Sequence, residues 1–439
     1  MKKRVLMVMT RDIPKTTSNG RERTLRFIRD AIGTDAELLE LKVRSVFETG
    51  TIVTKLRAGL RVLGGLVSAK PCALQVAIFA GGTGKKQVVD AIEAFKPDVV
   101  YFDGIRMVDY VAFVRRNYPA MHIISDLDDL MSRRAGILRA ADFPLSAGYL
   151  AKSIPKPAIA LINSRIVRSL LLRYEEHALK RHERLAVTCS DAVTLVSTTD
   201  ADALVQMLPD EIKNRVHVIA PPIGSVKKVN RPASPVRFVF IGADSQLQNR
   251  LAIRYLVASW KRLKLRVPLV IYGGMTNQYE TVPNVTFAGF APTLEDVYTP
   301  NSIALCPTFL RGGIKSKVLE AISFGCVPVG NDAAYEGLNF TDEALAMNEL
   351  RLEQFLADPH AELEDVLVAA TRFAEYCERN FSLPVFTKRW GDLLWPRLQV
   401  QRAEINQIVV DGGVRTILAD AAHHVTEVAT SMAEGERVR

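Results

Sequence analysis

The chain has 439 residues, of which 48% are hydrophobic and 24% are charged. This composition excludes a disordered or fibrous protein, and the length favours two domains. The five cysteines are scattered and form neither a CxxC pair nor a Cys/His cluster. The sequence therefore predicts no disulfide framework and no zinc site, and it favours a reducing compartment.

The net charge of +9 is concentrated near the N-terminus, where residues 1–70 carry 15 Lys and Arg against 7 Asp and Glu. A basic region attracts polyanions, anionic lipid head groups or phosphorylated substrates. No helix-turn-helix, zinc-finger or RNP-like aromatic pattern accompanies the charge, so nucleic acid is not the expected partner.

Short apolar strands alternate with amphipathic helices through the first half of the chain. The predicted strands are 4–9, 36–41, 97–102, 121–125 and 192–197, and the predicted helices are 22–32 and 88–95. This alternation predicts a parallel sheet with helices on both faces. The first apolar run is too short for a signal peptide, and no segment approaches the roughly 20 apolar residues of a spanning helix, so we expect a cytoplasmic protein.

The alternation stops at residues 221–235, which hold four of the 21 prolines. It then restarts with predicted strands at 237–241, 269–272, 285–288, 303–306 and 327–329, and with helices at 251–263 and 316–324. We therefore predict an α/β protein with two Rossmann-like domains, 1–222 and 236–375, joined by a linker at 223–235. Residues 376–400 are predicted to form a helix that crosses back to the first domain, followed by a tail, 401–439.

Glycines follow several predicted strands. In parallel sheets of this kind, ligands bind outside the carboxyl ends of the strands, and helix N-termini there favour anions such as diphosphate. One glycine in such a turn usually only permits a tight backbone, so the prediction rests on their recurrence at one edge. The glycines concerned are Gly20, Gly104, Gly242, Gly273, Gly274, Gly312 and Gly313.

The strongest local signal is the loop between the predicted strand 303–306 and the helix that begins near Ser316. Its two glycines, Gly312 and Gly313, would let backbone amides approach phosphate oxygens. Three cations, Arg311, Lys315 and Lys317, could neutralise a phosphate there. Glu320 follows on the helix, where a carboxylate suits hydrogen bonds to a ribose diol. A solvated basic loop before an ordinary helix is the alternative.

Several segments resemble family 4 (group 1) glycosyltransferases, and together they cover roughly residues 1–400. Residues 317–329, KVLEAISFGCVPV, resemble the family's LEAMAxGxPVV signature, and the preceding loop is similar to a branch that reads G-T-R-x-K-x-L-E. Residues 191–197 (DAVTLVS), 283–290 (PNVTFAGF) and 380–382 (NFS) resemble three further family segments.

The resemblance implies a GT-B fold, with an acceptor-side N-terminal domain and a donor-binding C-terminal domain. It also implies a retaining hexosyltransferase-type enzyme that uses a nucleoside-diphosphate sugar, with no metal and no cofactor. Glu320 matches the second Glu of the family's E-x7-E pair, which is expected on the donor ribose. The first Glu is replaced by Gly312, and no Arg directly follows Gly242, where the family has a basic pair. The remaining predicted donor residues are Arg250, Gly273, Gly274, Phe290, Gly313, Arg311, Lys315 and Lys317.

Acidic residues follow two predicted strands of the first domain. Asp103 and Asp126 are the candidate catalytic carboxylates, together with Lys317 as the candidate catalytic cation. Asp128 and Asp129, with the Asn19-Gly20-Arg21 turn, are expected on the acceptor side. Helix capping by Asp126 or Asp128 is the alternative interpretation.

The predicted function is sugar transfer to a glycan or lipid-linked acceptor in surface polysaccharide or glycoconjugate synthesis. Residues 52–63 form a basic amphipathic helix, which leaves open peripheral contact with the inner face of the membrane or an ordinary surface helix. Two alternatives to the enzyme remain open: a non-catalytic GT-B partner subunit, and another GT-B enzyme that acts on a sugar nucleotide.

Overall fold

A computed structural model describes residues 2–13, 20–49, 51–67, 70–141 and 160–396. The chain divides into a compact unit, Met1–Trp390, and a second unit, Gly391–Arg439, of which only residues 391–396 are described. Both sheets of the protein lie in the first unit. The predicted tail at 401–439 lies outside the described residues.

The first sheet has six parallel strands in the part of the chain described, in the order β2-β1-β3-β4-β5-β6. Its strands are β1 (Lys3–Met9), β2 (Ala36–Lys42), β3 (Val99–Asp103), β4 (His122–Asp128), β5 (Ala192–Leu195) and β6 (Val216–Val218). The helices are α1 (Gly20–Asp35), α2 (Val46–Thr49), α3 (Ile52–Val67), α4 (Leu74–Ala77), α5 (Gly82–Phe95), α6 (Val108–Asn117), α7 (Met131–Ala140), α8 (Arg165–Cys189), α9 (Thr198–Val205) and α10 (Asp210–Lys213), with a 3-10 turn at Ile105–Met107.

The second sheet has five parallel strands, in the order β11-β10-β7-β8-β9. Its strands are β7 (Arg237–Ile241), β8 (Leu269–Tyr272), β9 (Val285–Gly289), β10 (Ser302–Leu305) and β11 (Val327–Val329). The helices are α11 (Leu247–Leu263), α12 (Leu294–Val297), α13 (Ser316–Ser323), α14 (Asp332–Tyr335), α15 (Glu349–Ala357), α16 (Leu363–Phe381) and α17 (Leu383–Leu394).

Each sheet is buried on both faces. Successive side chains of a strand point to opposite sides of the sheet, so the apolar residues of one strand pack into clusters on both faces. In β7, Phe238 and Phe240 pack in a cluster that includes Trp260 of α11, whereas Val239 packs in another cluster with Ala321 of α13. Double burial of this kind explains why the strands read as continuous apolar runs in the sequence.

Helix α17 returns from the second sheet to the first. The ring of Phe386 packs edge-on against Phe27 of α1, with centroids 6.4 Å apart. Trp390 packs in the same way against Tyr101 of β3, with centroids 5.7 Å apart. The predicted crossing helix is therefore confirmed for these residues, and aromatic contacts hold it to the first domain.

The predicted architecture of two parallel sheets with covering helices is confirmed, and the differences lie in element ends. The strand predicted at 192–197 ends at Leu195 because Ser197 instead caps α9, accepting a hydrogen bond from the Asp200 amide. Helix α11 begins four residues before the predicted start at 251. The 25-residue helix α8 and strand β6 were not predicted. Within the described ranges, no helix is both long and apolar enough to cross a membrane.

Candidate active site

A cleft of about 1240 Å³ lies at the carboxyl ends of strands from both sheets. It is lined by residues that follow β4 and β5 in the first sheet and β7, β8, β9 and β10 in the second, together with the start of α1. This is the edge where open parallel sheets bind their ligands. The predicted site residues on its wall are Gly20, Arg21, Asp128, Asp129, Gly242, Gly273, Gly274, Phe290, Arg311, Gly312, Gly313, Lys315, Lys317 and Glu320.

Three of the predicted site residues that the structure describes are not among those that line the cleft. Asp103 and Asp126 are buried, with 1% and 3% of their surface exposed. The Arg250 Nε donates a hydrogen bond of 3.1 Å to the Asp244 carbonyl oxygen, which holds that guanidinium against the backbone rather than against the cleft. A donor contact of Arg250 stays a prediction. Asn19 lies outside the described residues.

Two turns on the second-domain side of the cleft require glycine. Gly273 has a φ of +131°, and a Cβ there would lie 2.6 Å from the Gly242 carbonyl carbon and oxygen. A Cβ on Gly242 would in turn lie 2.7 Å from the Asn249 side-chain amide. A side chain at either position would therefore collide with its neighbour. Because neither turn carries one, the start of α11 stays open to the cleft.

The glycine loop after β10 is arranged differently from the sequence expectation. Gly312 and Gly313 have φ values of +94° and +63°, so both need glycine. Their amides, however, do not point to an open anion site. The Gly312 amide donates to Glu336 Oε2 at 3.1 Å, and the Gly313 amide donates to Asp200 Oδ2 at 3.1 Å. Because these donors are already satisfied by carboxylates, they are poor candidates for phosphate contact.

Lys317, on the first turn of α13, is the cation best placed to meet an anion. Its Nζ donates to Asn249 Oδ1 and lies 4.4 Å from the centroid of the Phe240 ring. Across the described ranges, no carboxylate forms an ion pair with it. Burial lowers the pKa of Lys317 to about 8, although Cys306 and Glu320 oppose that shift. The protein thus holds a partly buried ammonium group in the cleft, with no ion-pair partner among the described residues.

The other two cations of the loop are already engaged. The Lys315 Nζ donates to the Gly312 carbonyl oxygen, and burial lowers the pKa of Lys315. Arg311 is half-exposed and forms an ion pair with Asp332. Of these three cations, Arg311 therefore pairs with a carboxylate and Lys315 with a backbone carbonyl, whereas Lys317 donates to the neutral amide of Asn249.

Glu320 lies one turn further along α13, and its side chain is 18% exposed. Its Oε1 accepts a hydrogen bond from Arg23 of α1, which belongs to the first domain. The pair joins the two walls of the cleft directly. Arg23 was not predicted, since nothing in the sequence near residue 23 marks a partner about 300 positions away.

A second connection across the cleft is centred on Arg133 of α7. Its Nη1 donates to Asp200 Oδ1 at 2.8 Å, and its Nη2 donates to Glu336. Asp200 belongs to α9 in the first domain, whereas Glu336 follows α14 in the second. Since the same two carboxylates accept the Gly312 and Gly313 amides, Arg133 and the glycine loop form one hydrogen-bonded network.

Three carboxylates of the first domain surround the buried guanidinium of Arg21. Arg21 donates to Asp103 Oδ1, to Asp126 Oδ2 at 2.8 Å and to Asp128 Oδ1 at 3.2 Å. The Tyr101 hydroxyl donates to the same Asp126 oxygen at 2.7 Å. Asp103 and Asp126 are register partners on the neighbouring parallel strands β3 and β4, which explains why their side chains converge. They act here as counter-ions beneath the cleft.

Asp128 is the member of this group that faces the cleft. Its side chain is 34% exposed, and its backbone has a φ of +65°. Burial raises the pKa of Asp128 to about 7; Arg21 opposes the rise, and the carboxylates of Asp129, Asp126 and Asp103 add to it. A carboxyl whose pKa is raised in a cleft is typical of sites that handle protons.

The architecture has known counterparts among solved structures. The chain is similar to an apo lipopolysaccharide outer core galactosyltransferase, WaaB, with 12% identity and a TM-score of 0.54 over 90% of this chain and 99% of that one. It is also similar to sucrose-phosphate synthase from Thermosynechococcus elongatus, with 10% identity and a TM-score of 0.58 over 91% of this chain and 100% of that one. An apo OtsA structure gives 11% identity and a TM-score of 0.53 over 89% and 99%. At these identities the likeness shows the fold, which is GT-B.

The sequence itself carries a family match in the second domain. Residues 235–355 match the family described as "Glycosyl transferases group 1". This span contains the second sheet and the loop that carries Lys317 and Glu320. None of the curated proteins compared with the chain matches it.

Replacing Gly313 with alanine should distort the network across the cleft. A Cβ there would overlap the Asp129 carboxylate, and the φ of +63° is unfavourable for any other residue. We expect a loss of about 1–2 kcal/mol in the free energy of unfolding. Chemical denaturation of Gly313→Ala and Gly274→Ala provides the comparison, because a Cβ on Gly274 meets open space. Equal stabilities of the two variants would contradict this geometry.

Proposed function

We propose that the protein is a glycosyltransferase that moves a sugar from a nucleoside-diphosphate sugar, bound in the cleft, to a glycan or lipid-linked acceptor. The observation that carries the proposal is the partly buried ammonium of Lys317, which has no carboxylate ion-pair partner among the described residues. It lies at an edge where two glycine turns and two helix starts converge. A buried cation without a carboxylate partner is costly unless an anion occupies the site during function. The family match of residues 235–355 supports the same class of reaction.

The donor would lie along the second domain. Neither α11 nor α13 has a side-chain cap at its start, so backbone amides there are available to phosphate oxygens. Lys317 would neutralise the diphosphate, and Glu320 would accept hydrogen bonds from the ribose hydroxyls. Phe290, which is 86% exposed on the cleft wall, offers an aromatic face to the base. No metal or cofactor is assigned a role.

The reaction would break the bond between the sugar C1 and the diphosphate oxygen and form a bond from C1 to an acceptor oxygen. Charge develops on the leaving diphosphate, where the fixed ammonium of Lys317 would stabilise it. On the opposite wall, Asp128 would accept a hydrogen bond from the acceptor hydroxyl. We assign this acceptor role to Asp128 rather than to Asp103 or Asp126, because those two carboxylates are buried against Arg21. Retention of configuration and a polysaccharide or glycoconjugate product belong to the proposal.

We also propose that the protein works in the cytoplasm. All five cysteines are free, and four of them are buried. Thiols that persist without pairing are typical of proteins in a reducing compartment.

Nucleotide release from a panel of UDP-, GDP- and ADP-sugars tests the proposal, with acceptor-containing membrane extract present. We expect turnover with one donor class, and a rise of about tenfold in its KM for Glu320→Gln, because one charge-assisted hydrogen bond to the ribose is weakened. Glu353→Gln is the matched control. Glu353 is also 18% exposed and paired with an arginine, Arg262, but it is not among the residues that line the cleft.

Two outcomes would contradict the proposal in different ways. Donor binding without turnover of any donor would make the chain a non-catalytic subunit, an interpretation that the glycine at position 312 keeps open. Equal donor KM values for Glu320→Gln and Glu353→Gln would remove Glu320 from the donor site.

A further inference from the structure

Helix α3 presents an apolar stripe to the outside of the molecule. Val53, Leu56, Leu60 and Leu63 lie on one side of the helix and are 54%, 61%, 64% and 58% exposed. The spacing of three and four residues places them in one row. Ordinary surface helices bury their apolar stripe, whereas α3 leaves these four apolar side chains exposed.

Helix α8 repeats the arrangement in its first two turns. Ile166 is 74% exposed and Leu170 is 62% exposed, while Arg168 and Leu172 face inward and are buried. The two helices touch near the end of α3, where the Tyr174 hydroxyl of α8 donates a hydrogen bond of 3.1 Å to the Val62 carbonyl oxygen. Nine of the 15 exposed large apolar side chains in the described part of the chain belong to α3 and to residues 161–171.

The charged residues of α3 and of the first nine residues of α8 are all positive. Lys55 and Arg57 are exposed on either side of the α3 stripe, and Arg165 and Arg173 flank the apolar side chains of α8. Neither α3 nor the first nine residues of α8 contain an acidic residue. Together these residues form what we term the basic apolar face, defined by the exposed side chains of α3 and of residues 161–173.

We propose that the basic apolar face binds the surface of a bilayer that contains anionic lipid. Apolar side chains that point outward between cations match the boundary between head groups and acyl chains, where both requirements are met. The helices would lie in the plane of the surface, in keeping with the finding that neither is long and apolar enough to span it. This inference goes beyond sugar transfer, and it chooses between the two interpretations that the sequence left open for residues 52–63.

Flotation of the purified full-length protein with vesicles tests the inference independently of any enzyme activity. We expect binding to phosphatidylcholine vesicles that contain phosphatidylglycerol, and much weaker binding to phosphatidylcholine alone. Leu56→Gln/Leu60→Gln/Leu63→Gln should reduce the partition coefficient more than about tenfold, because three exposed leucines no longer enter the bilayer. Lys55→Gln/Arg57→Gln should reduce it by about fivefold for each charge, and high salt should do the same to the wild type.

Leu350→Gln/Val368→Gln is the matched control. These two side chains are 68% and 57% exposed, on helices of the second domain, so their replacement should leave vesicle binding unchanged. All variants should melt at the wild-type temperature because the altered side chains are exposed. Equal binding by the triple variant and the control would overturn the inference. So would a wild type that ignores vesicles but self-associates in sedimentation velocity through the same leucines, since the face would then be an interface between copies.

Discussion

Replacing Lys317 with methionine is expected to lower kcat/KM for the donor on the order of 100-fold while leaving the protein equally or more stable. The activity falls because the charge that stabilises the leaving diphosphate is gone. The stability does not fall because methionine fills a similar volume and removes a buried ammonium that lacks a carboxylate partner. Nucleotide-release kinetics and chemical denaturation measure the two effects, which should have opposite signs.

The pH dependence gives the same residue a second signature. Because the folded-state pKa of Lys317 is about 8, the free enzyme loses this charge as pH rises through 8, and kcat/KM should fall there. Between pH 8 and the ordinary lysine value near 10.4, the unfolded chain binds more protons, so this group makes stability rise with pH. The gain from Lys317→Met should therefore be largest below pH 8.

Lys261→Met is the control for the loss of one positive charge. Lys261 is 61% exposed and pairs with Glu280 on the surface, so its replacement should change neither kcat/KM nor the pH profile. A Lys317→Met variant that keeps the wild-type kcat/KM would remove the ammonium from the mechanism.

Replacing Arg21 with methionine is expected to cause the largest loss of stability, about 3–5 kcal/mol. The variant leaves Asp103 and Asp126 buried without their shared counter-ion. Burial and mutual repulsion then penalise the two charged carboxylates, so the variant should recover part of its stability as the pH is lowered. Donor turnover should also fall, because Asp128 loses the guanidinium that holds it at the cleft.

Denaturant unfolding at several pH values measures this effect, with Arg29→Met as the control on the same helix. Arg29 pairs only with its neighbour Asp30 on the surface, and its loss should cost well under 1 kcal/mol. A destabilisation of Arg21→Met that is equal to that of Arg29→Met, or one that grows as the pH falls, would contradict the assigned electrostatics.

The fold could be predicted from the sequence because its strands are buried on both faces. Arg237–Ile241, Leu269–Tyr272 and Val327–Val329 each consist almost wholly of apolar residues, and prolines or glycines mark most of their ends. Helix α8 escaped prediction because its exposed apolar first turns hide the periodicity of an amphipathic helix. The same exposed apolar turns form part of the basic apolar face.

The candidate site could be predicted only where its residues are close in sequence. The loop with Lys315, Lys317 and Glu320 carries its glycines and cations within ten residues. The sequence alone therefore predicts a phosphate and ribose site there. The partner of Glu320 is Arg23, nearly 300 residues earlier, and only the facing of the two domains brings them together.

The roles of the glycine amides and of the first-domain carboxylates were also outside the reach of the sequence. Asp200 and Glu336 occupy the amides of Gly313 and Gly312, which the loop alone offered to phosphate. The sequence marks Asp103 and Asp126 as candidate catalytic carboxylates, but it does not show that both accept hydrogen bonds from Arg21. Such assignments depend on which polar groups already satisfy one another, and that is a property of the folded chain.

The cleft is proposed to bind a nucleoside diphosphate through Lys317. The melting temperature of the full-length protein in the presence of UDP, GDP or ADP tests it most directly, since a ligand that binds only the folded state stabilises it by mass action. We predict that one of the three nucleotides raises the melting temperature of the wild type and of Lys261→Met, and that it does so much less for Lys317→Met. An equal rise for Lys317→Met, or no rise with any of the three, would contradict the account.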